Sequence, residues 1–192
     1  MIDPKWRPPV LRGEGLLLRP LAEADAADVF AYASNPNMTP HSLWDAHKTV
    51  EDSRQFVTAY AESHYAEEEP EPMGIVLGDR EAGHVIGTVG CHWRSRKSRQ
   101  MELGFALAEP HWGKGITTTA AQLLLGHVFE NYDVERVQAR CMVENTASAR
   151  VLRKLGMTHE GTLRSSVFLR GEFRDLHMFS LLRREHDSVR GG

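Results

Sequence analysis

Three stretches of this chain carry residue types that can do chemistry. The first is Glu109-Pro110-His111-Trp112-Gly113-Lys114-Gly115-Ile116-Thr117. Glycines at 113 and 115 let successive backbone N–H groups point inward and let a ligand approach the main chain closely. A helix opening near Gly115 adds the positive end of its dipole, and Lys114 adds a charge, so the stretch suits a pyrophosphate. Two other phosphate motifs do not fit. A Walker loop needs Ser or Thr directly after the Lys, and Lys114 is followed by Gly115; a dinucleotide fingerprint needs a third glycine where Thr118 stands. The competing reading is a tight structural turn.

The second stretch runs from Asn145 to Met157 and reads as an amphipathic helix. Asn145 or Thr146 caps it, Leu152 and Leu155 face the core, and Gly156 stops it. Ser148 then falls in the first turn, where a hydroxyl can face a ligand lying across the helix N-terminus. The third stretch is Glu102-Leu103-Gly104-Phe105, on a strand. Further candidates are Trp44, His41 and His47 in a loop over 38–48, and Asp175 and His177 near the last strand. A Trp ring can pack over a cation.

These residues need elements to hold them. Leu16 to Arg19 reads as a strand, Asp25 to Ala33 as a helix, and a second helix opens at Thr49 or Asp52 with Phe56, Val57 and Tyr60 on one face. The run Glu67-Glu68-Glu69-Pro70-Glu71-Pro72 reads as a solvated surface connector, with a lure for a cationic substrate as the alternative. Strands follow at Met73–Leu77, His84–His92 and Met101–Leu107, joined as antiparallel hairpins. A helix spans Gly115 to about Phe129. Then come a strand over Val134–Val143, the Ala147–Leu155 helix, and strands over Met157–Leu163 and Phe173–Leu182. The tail Arg183 to Gly192 reads as frayed. The order implies an α/β fold: a central mixed sheet flanked by helices.

Composition narrows the classes. The 192 residues, 41% hydrophobic and 26% charged, suit a single globular domain over 1–192 with a core at about 16–184. A net charge of −3 argues against a nucleic-acid partner. No apolar run approaches the roughly 20 residues that cross a bilayer. Met1 to Pro9 lacks the apolar stretch of a secretory signal. Cys91 and Cys141 have no metal-ligand spacing, and no metal is expected. A cytoplasmic location is the expectation.

In order and spacing, these segments resemble the GNAT superfamily of acetyl-CoA-dependent N-acetyltransferases, and more closely its RimJ/RimL-like branch. The superfamily's phosphate loop, Q/R-x-x-G-x-G/A, is met by Trp112 to Thr117, with Trp first as in that branch. The branch pattern N-x-x-S is met by Asn145 to Ser148. Its G-F-x-x-E-G is met by Gly156 to Gly161, with Met157 in place of Phe. The E-x-G of Glu102 to Gly104, the opening Leu17-Leu18-Arg19-Pro20 and the closing Arg170 to Asp175 also match, so the likeness spans about Leu16 to Arg184.

The resemblance implies a GNAT-like fold in which the strand Met101–Leu107 splays from Val134–Val143 and leaves a cleft. Acetyl-CoA would lie there, its pantetheine bonded by Phe105, Ala106 and Leu107 and by Asn145, its pyrophosphate on Trp112, Gly113, Lys114, Gly115, Ile116 and Thr117. Ser148 would sit near the sulfur as proton donor, and Glu102 would serve as the base. The place where some branch members carry a second glutamate holds Val167. Trp44 and Asp175 would line the acceptor end. The acceptor implied first is a protein N-terminal amine of the ribosomal-protein type. The alternatives are a small amine (a polyamine, amino acid derivative or antibiotic) or an acyl-CoA sensor without turnover; a homodimer stays open.

Overall fold

The computed structural model describes residues 6–190. The chain opens with a hairpin that turns at Gly15, whose φ of 73° is free of strain only for glycine. Its strands are β1 (Leu11–Gly13) and β2 (Leu16–Pro20); the three residues of β1 are too short for an alternation to announce them. A single helical turn over Glu23–Asp25 leads into α1 (Ala26–Ala33). α2 (Val50–Gln55) starts at Thr49, whose hydroxyl accepts from the Asp52 N–H while the Asp52 carboxylate accepts from the Thr49 N–H. The helix then widens into a π turn over Phe56–Tyr60 and resumes as α3 (Ala61–Tyr65).

Next come β3 (Met73–Leu77), β4 (Val85–Ser95) and β5 (Gln100–Leu107), paired as antiparallel neighbours. α4 (Ile116–Asn131) carries the chain over to β6 (Arg136–Met142), and α5 (Thr146–Lys154) precedes β7 (Thr158–Leu169), β8 (Glu172–Leu182) and α6 (Arg183–Arg190). The result is the expected mixed α/β architecture, one eight-stranded sheet in the order β1-β2-β3-β4-β5-β6-β8-β7. Among the described strands only β5 and β6 pair in parallel, and for just three residues, Gln100–Glu102 against Arg136–Gln138.

Period-two alternation splits the core between the sheet's faces. Val89, Cys91, Met101, Leu103 and Leu107 pack with Ala120, Leu124 and Val128 of α4 and with Leu152 of α5. Leu17, Val76 and Val85 pack on the other face with Val29 and Tyr32 of α1 and with Val57. Residues paired with one another in the β4–β5 ladder, Gly90 with Gly104 and His92 with Glu102, share that second face.

Two sequence expectations are corrected. The tail does not fray within the described residues. Arg183 donates to the carbonyls of Val134, Phe129 and Tyr132 at 2.7, 2.8 and 2.8 Å, and Glu185 caps α6 by accepting from the Leu182 N–H at 2.9 Å. The acidic run is not a solvated connector throughout: Glu69 is buried, and its carboxylate accepts from the Trp93 N–H at 2.9 Å. Glu71 also turns inward. In addition, β7 runs on to Leu169, six residues beyond the expected end, because a bulge between Leu163 and Val167 lets it keep pairing with β8.

β2 and α1 are fastened by a bidentate pair, Arg19 Nη1 and Nη2 to Asp25 Oδ2 and Oδ1, both 2.7 Å, with side chains only 12% and 8% exposed. Removing one partner of so buried a pair leaves the other charge uncompensated. Asp25→Ala should therefore cost about 3–5 kcal/mol, read as the shift of the urea unfolding midpoint; a loss under about 1 kcal/mol would show the pair to be dispensable.

Candidate active site

The site begins where β5 and β6 part. The Ala108 N–H donates to the Ile86 carbonyl of β4 at 2.8 Å. By alternation, Ala106 turns its main-chain groups to β4 as well, whereas Phe105 and Leu107 turn theirs toward the gap left by β6. Of the three residues expected to bond the pantetheine, Phe105 and Leu107 thus face the gap. Ala106 instead packs its side chain with the α1 cluster. The Leu107 carbonyl is already taken by the Trp112 indole, Nε1 to O 2.5 Å, which ties the glycine turn to the end of β5.

Gly113 and Gly115 both lie in the left-handed region, at φ 73° and 80°, and nothing stands within 4 Å of where a Cβ would project from either. Gly115 is the N-cap of α4 and offers no side chain to the first-turn N–H groups of this 16-residue helix. Those donors, from Ile116 and Thr117 onward, have no side-chain cap and the helix dipole lies behind them, which is the geometry of an anion site. Lys114 is exposed at the turn, its ammonium donating to the Pro110 carbonyl at 2.8 Å.

Asn145 caps α5 as expected, its Oδ1 accepting from the Ser148 N–H at 3.0 Å while its Nδ2 donates to the His41 carbonyl at 3.0 Å. Both ends of its amide are therefore occupied. Ser148 is half-buried in the first turn of α5, and its hydroxyl has no partner among the described residues.

Glu102 is buried, as a carboxylate on the second face should be only when paired. Its Oε1 accepts from Arg140 Nε and Nη2 at 2.9 and 2.7 Å, its Oε2 from Gln138 Nε2 at 3.0 Å, and Arg94 stands 3.5 Å away. Each oxygen thus has a donor from β6. The arrangement makes Glu102 a clasp across the point where β5 and β6 separate. Arg140 and Gln138 had no sequence signal, being ordinary polar positions of a half-buried strand.

The acceptor candidates do not form one cluster. Trp44 is half-buried against the α1 core cluster, and its carbonyl accepts from Arg170 Nη1 at 3.2 Å. His47 bonds the Ser53 hydroxyl through Nδ1 at 2.7 Å, and burial pushes its pKa down. Asp175 instead holds the β7 bulge, accepting from the Ser165 N–H at 2.7 Å, and borders an open hollow of about 820 Å³ with Thr162 and Arg164. His177 lies 3.0 Å from His159 and is lowered by burial and by that neighbour's charge. Among the described residues no group of three His, Cys, Asp or Glu side chains could hold a metal ion, and no helix is long and apolar enough to cross a membrane.

A mixed sheet parted between two parallel strands, with an uncapped helix N-terminus behind a glycine turn, is the architecture of an N-acyltransferase. Comparison with known proteins agrees. Residues 15–158 match the model of the acetyltransferase (GNAT) domain. The chain is 31% identical over 173 residues to the uncharacterized N-acetyltransferase p20 of Bacillus licheniformis, covering 90% of this chain and 96% of that one. It is 28% identical over 96 residues to the ribosomal-protein-serine acetyltransferase of Escherichia coli K12, covering half of this chain and 54% of that one. A GNAT-family acetyltransferase structure from Bacillus anthracis superposes with a TM-score of 0.81 at 25% identity, covering 92% of this chain and all of that one. The chain belongs to the GNAT acetyltransferase family.

The glycine turn yields a direct test. At Gly113 an added methyl meets no protein atom, so Gly113→Ala should cost only the left-handed strain of about 1–2 kcal/mol. The same methyl would project into the open space at the turn. Calorimetry with CoA should show affinity reduced tenfold or more in a protein that still melts cooperatively; unchanged affinity would make the turn structural.

Proposed function

We propose that this protein transfers the acetyl group of acetyl-CoA to a primary amine, with the α-amine of a protein N-terminus as the first acceptor class. The observation that carries the reading is the gap between β5 and β6. The main-chain groups of Phe105 and Leu107 border it, and the open glycine turn of Gly113 and Gly115 lies at the end of the same strand. An extended pantetheine arm can add to the free edge of β5 as a strand would, with its pyrophosphate at the N-terminus of α4. The N-terminal acceptor is supported by the likeness to the E. coli ribosomal-protein-serine acetyltransferase, which covers half of this chain. It would place the protein in the RimJ/RimL-like branch.

The chemistry would be direct attack of the neutral amine on the thioester carbonyl. A main-chain N–H at Leu107, held by the strand, would stabilise the developing oxyanion, a contribution of up to about 3 kcal/mol per donor. As the carbon–sulfur bond breaks, the thiolate needs a proton. Ser148, whose hydroxyl has no partner among the described residues, stands in the first turn of α5 and would pass that proton on.

Calorimetry with acetyl-CoA, ATP and NAD tests the cofactor, and CoA release with a panel of free-N-terminus peptides, polyamines and amino acid derivatives tests the acceptor. Binding of acetyl-CoA alone, without added metal, is the expected result. Turnover best with peptides supports the N-terminal acceptor, turnover best with a small amine replaces it, and binding without any turnover leaves a sensor. Ser148→Ala should slow CoA release about tenfold to a thousandfold while leaving acetyl-CoA affinity nearly unchanged. Unchanged turnover would remove Ser148 from the reaction and leave water as the proton source.

A further inference from the structure

The reaction described above starts from the neutral amine, whereas a primary amine reaches the site mostly as the ammonium. With both Glu102 oxygens held by Arg140 and Gln138, the first proton of that ammonium still needs a taker. One inward carboxylate is unused by that reaction. Glu71 sits in a segment laid beside β4, where the Cys91 N–H donates to the Pro70 carbonyl at 3.1 Å. Tyr65 fixes the next residue, its hydroxyl donating to the Pro72 carbonyl at 2.5 Å and accepting from the Leu21 N–H at 2.9 Å. The Glu71 side chain then lies flat on Gly90. A Cβ at 90 would stand 2.0 Å from Glu71 Oε2 and 2.9 Å from its Cα, so only glycine permits this placement. The residue paired with Gly90 on β5 is Gly104, which is exposed, with nothing within 4 Å of where its Cβ would be. The carboxylate thus rests one strand from the gap, on the face opposite α4 and α5, beside an open glycine floor.

Glu71 Oε2 is sealed from solvent and has no hydrogen-bond partner among the described residues, while Oε1 accepts from the Tyr60 hydroxyl at 3.4 Å. Tyr60 comes from the π turn and is 40% exposed, so it links the sealed carboxyl to the outside. Its ring also continues a row of aromatic contacts that starts in the acceptor loop. Trp44 meets His47 at 6.0 Å, His47 meets Phe56 at 5.9 Å, and Phe56 stacks on Tyr60 at 5.2 Å. Such a row suits the passage of a cationic amine.

We propose that Glu71 is the proton acceptor for the substrate amine, reached through the hydroxyl of Tyr60. The proposal rests on the acetyltransferase reading. The ammonium gives one proton to the Tyr60 oxygen as the Tyr60 proton passes to Glu71 Oε1. The freed nitrogen lone pair forms the carbon–nitrogen bond at the thioester carbonyl. The carbon–sulfur bond then breaks, its electron pair leaves on sulfur, and the second proton of the nitrogen reaches the thiolate through Ser148. The products are the amide, CoA as the thiol, and protonated Glu71, which returns its proton to solvent.

The electrostatics fit a base that works near neutrality. Burial lifts the Glu71 carboxyl to about 7, the charges of Glu69 and Glu102 add to the rise, and His64 and the Tyr60 bond oppose it. His64 of α3 is itself paired with Glu69, which holds its pKa up against burial. The other titratable groups within reach are Tyr32 of α1, Tyr60 of the π turn, Tyr65 of α3 and Cys91 of β4, each raised mainly by burial and further by Glu71, and His92 of β4, lowered by burial. Burial keeps all of these neutral at pH 7, so Glu69, His64 and Glu102 are the charges that tune Glu71.

The test is the pH profile of kcat/KM of the whole protein with acetyl-CoA and the amine that releases CoA fastest in the panel. Wild type should rise with pH, reach half of its limit near 7 and level off about one unit above, as Glu71 becomes ionised. Glu71→Gln should lose about 100-fold and the plateau, its profile following the titration of the amine alone. Glu71→Asp should recover part of both. Tyr60→Phe should lose about as much as Glu71→Gln, and the double variant no more than either. A second readout separates chemistry from structure. A carboxyl raised in the folded state binds more protons folded than unfolded, so wild type loses stability as pH rises from the free value to about 7. Glu71→Gln should therefore melt at a higher temperature than wild type at pH 8. A retained plateau, additive losses or a lower melting temperature in Glu71→Gln would overturn the proposal. If that variant does not fold, a Tyr60→Phe profile equal to wild type does so. A wild type that binds acetyl-CoA yet releases no CoA with any amine fails the acetyltransferase reading instead, and the proton role falls with it.

Discussion

The molecule is organised around a shortage of hydrogen bonds between two strands. β5 and β6 pair over three residues and then diverge, so the main-chain groups of Phe105 and Leu107 have no ladder to join on that side. Backbone N–H and C=O groups away from water almost always find partners. Here one carbonyl is served by the Trp112 indole, and the remaining edge is open to a ligand that can behave as a strand. The separation is stabilised by charge at its apex. Glu102, Arg140 and Gln138 bridge the strands just where their pairing ends, so the gap starts at a fixed residue and the sheet does not unzip further.

The loop between α1 and α2 has little core of its own and is held by hydrogen bonds at three corners. Asn35 and Asn37 donate to Glu109, in front of the glycine turn, and lower that carboxyl's pKa. Asn145 at the head of α5 donates to the His41 carbonyl. Arg170, from the tip of the β7–β8 hairpin, donates to the carbonyls of Ser42 and Trp44 at 2.8 and 3.2 Å. The loop therefore connects the glycine turn, the serine-bearing helix and the far hairpin. Each bond is worth about 1 kcal/mol, enough together to fix the loop.

On the face opposite α4 and α5 the fold accepts a cost. A carboxylate sealed against Gly90, with one oxygen unpartnered, is disfavoured when charged, and the energy is supplied by the packing of α1 and α3 around it. Such expenditure is typical of sites where chemistry needs a group the core would otherwise exclude.

Local chemistry made much of this protein legible from its residues alone. Gly113 and Gly115 announce a turn that only a strand and a helix can flank, and Asn145 with Gly156 brackets a helix at both ends, because caps act within a few residues. The alternation over β4 and β5 gives the sheet its two faces for the same reason. What lay beyond the sequence was every outcome set by partners distant along the chain. Glu102 looked available until Arg140, 38 residues on, closed over it. The acidic run looked solvated because like charges repel in water, but Gly90 offered Glu71 a place without a side chain, and the Trp93 N–H, 24 residues on, drew Glu69 in. The tail looked frayed until three carbonyls near the end of α4 received Arg183. Elements and caps that depend on neighbours in the chain, such as α4 behind Gly115 and α5 between Asn145 and Gly156, were legible from residue order alone. Only the tertiary structure decided which carboxylates are clasped and which are left wanting a proton, since burial and pairing are properties of the assembled sheet.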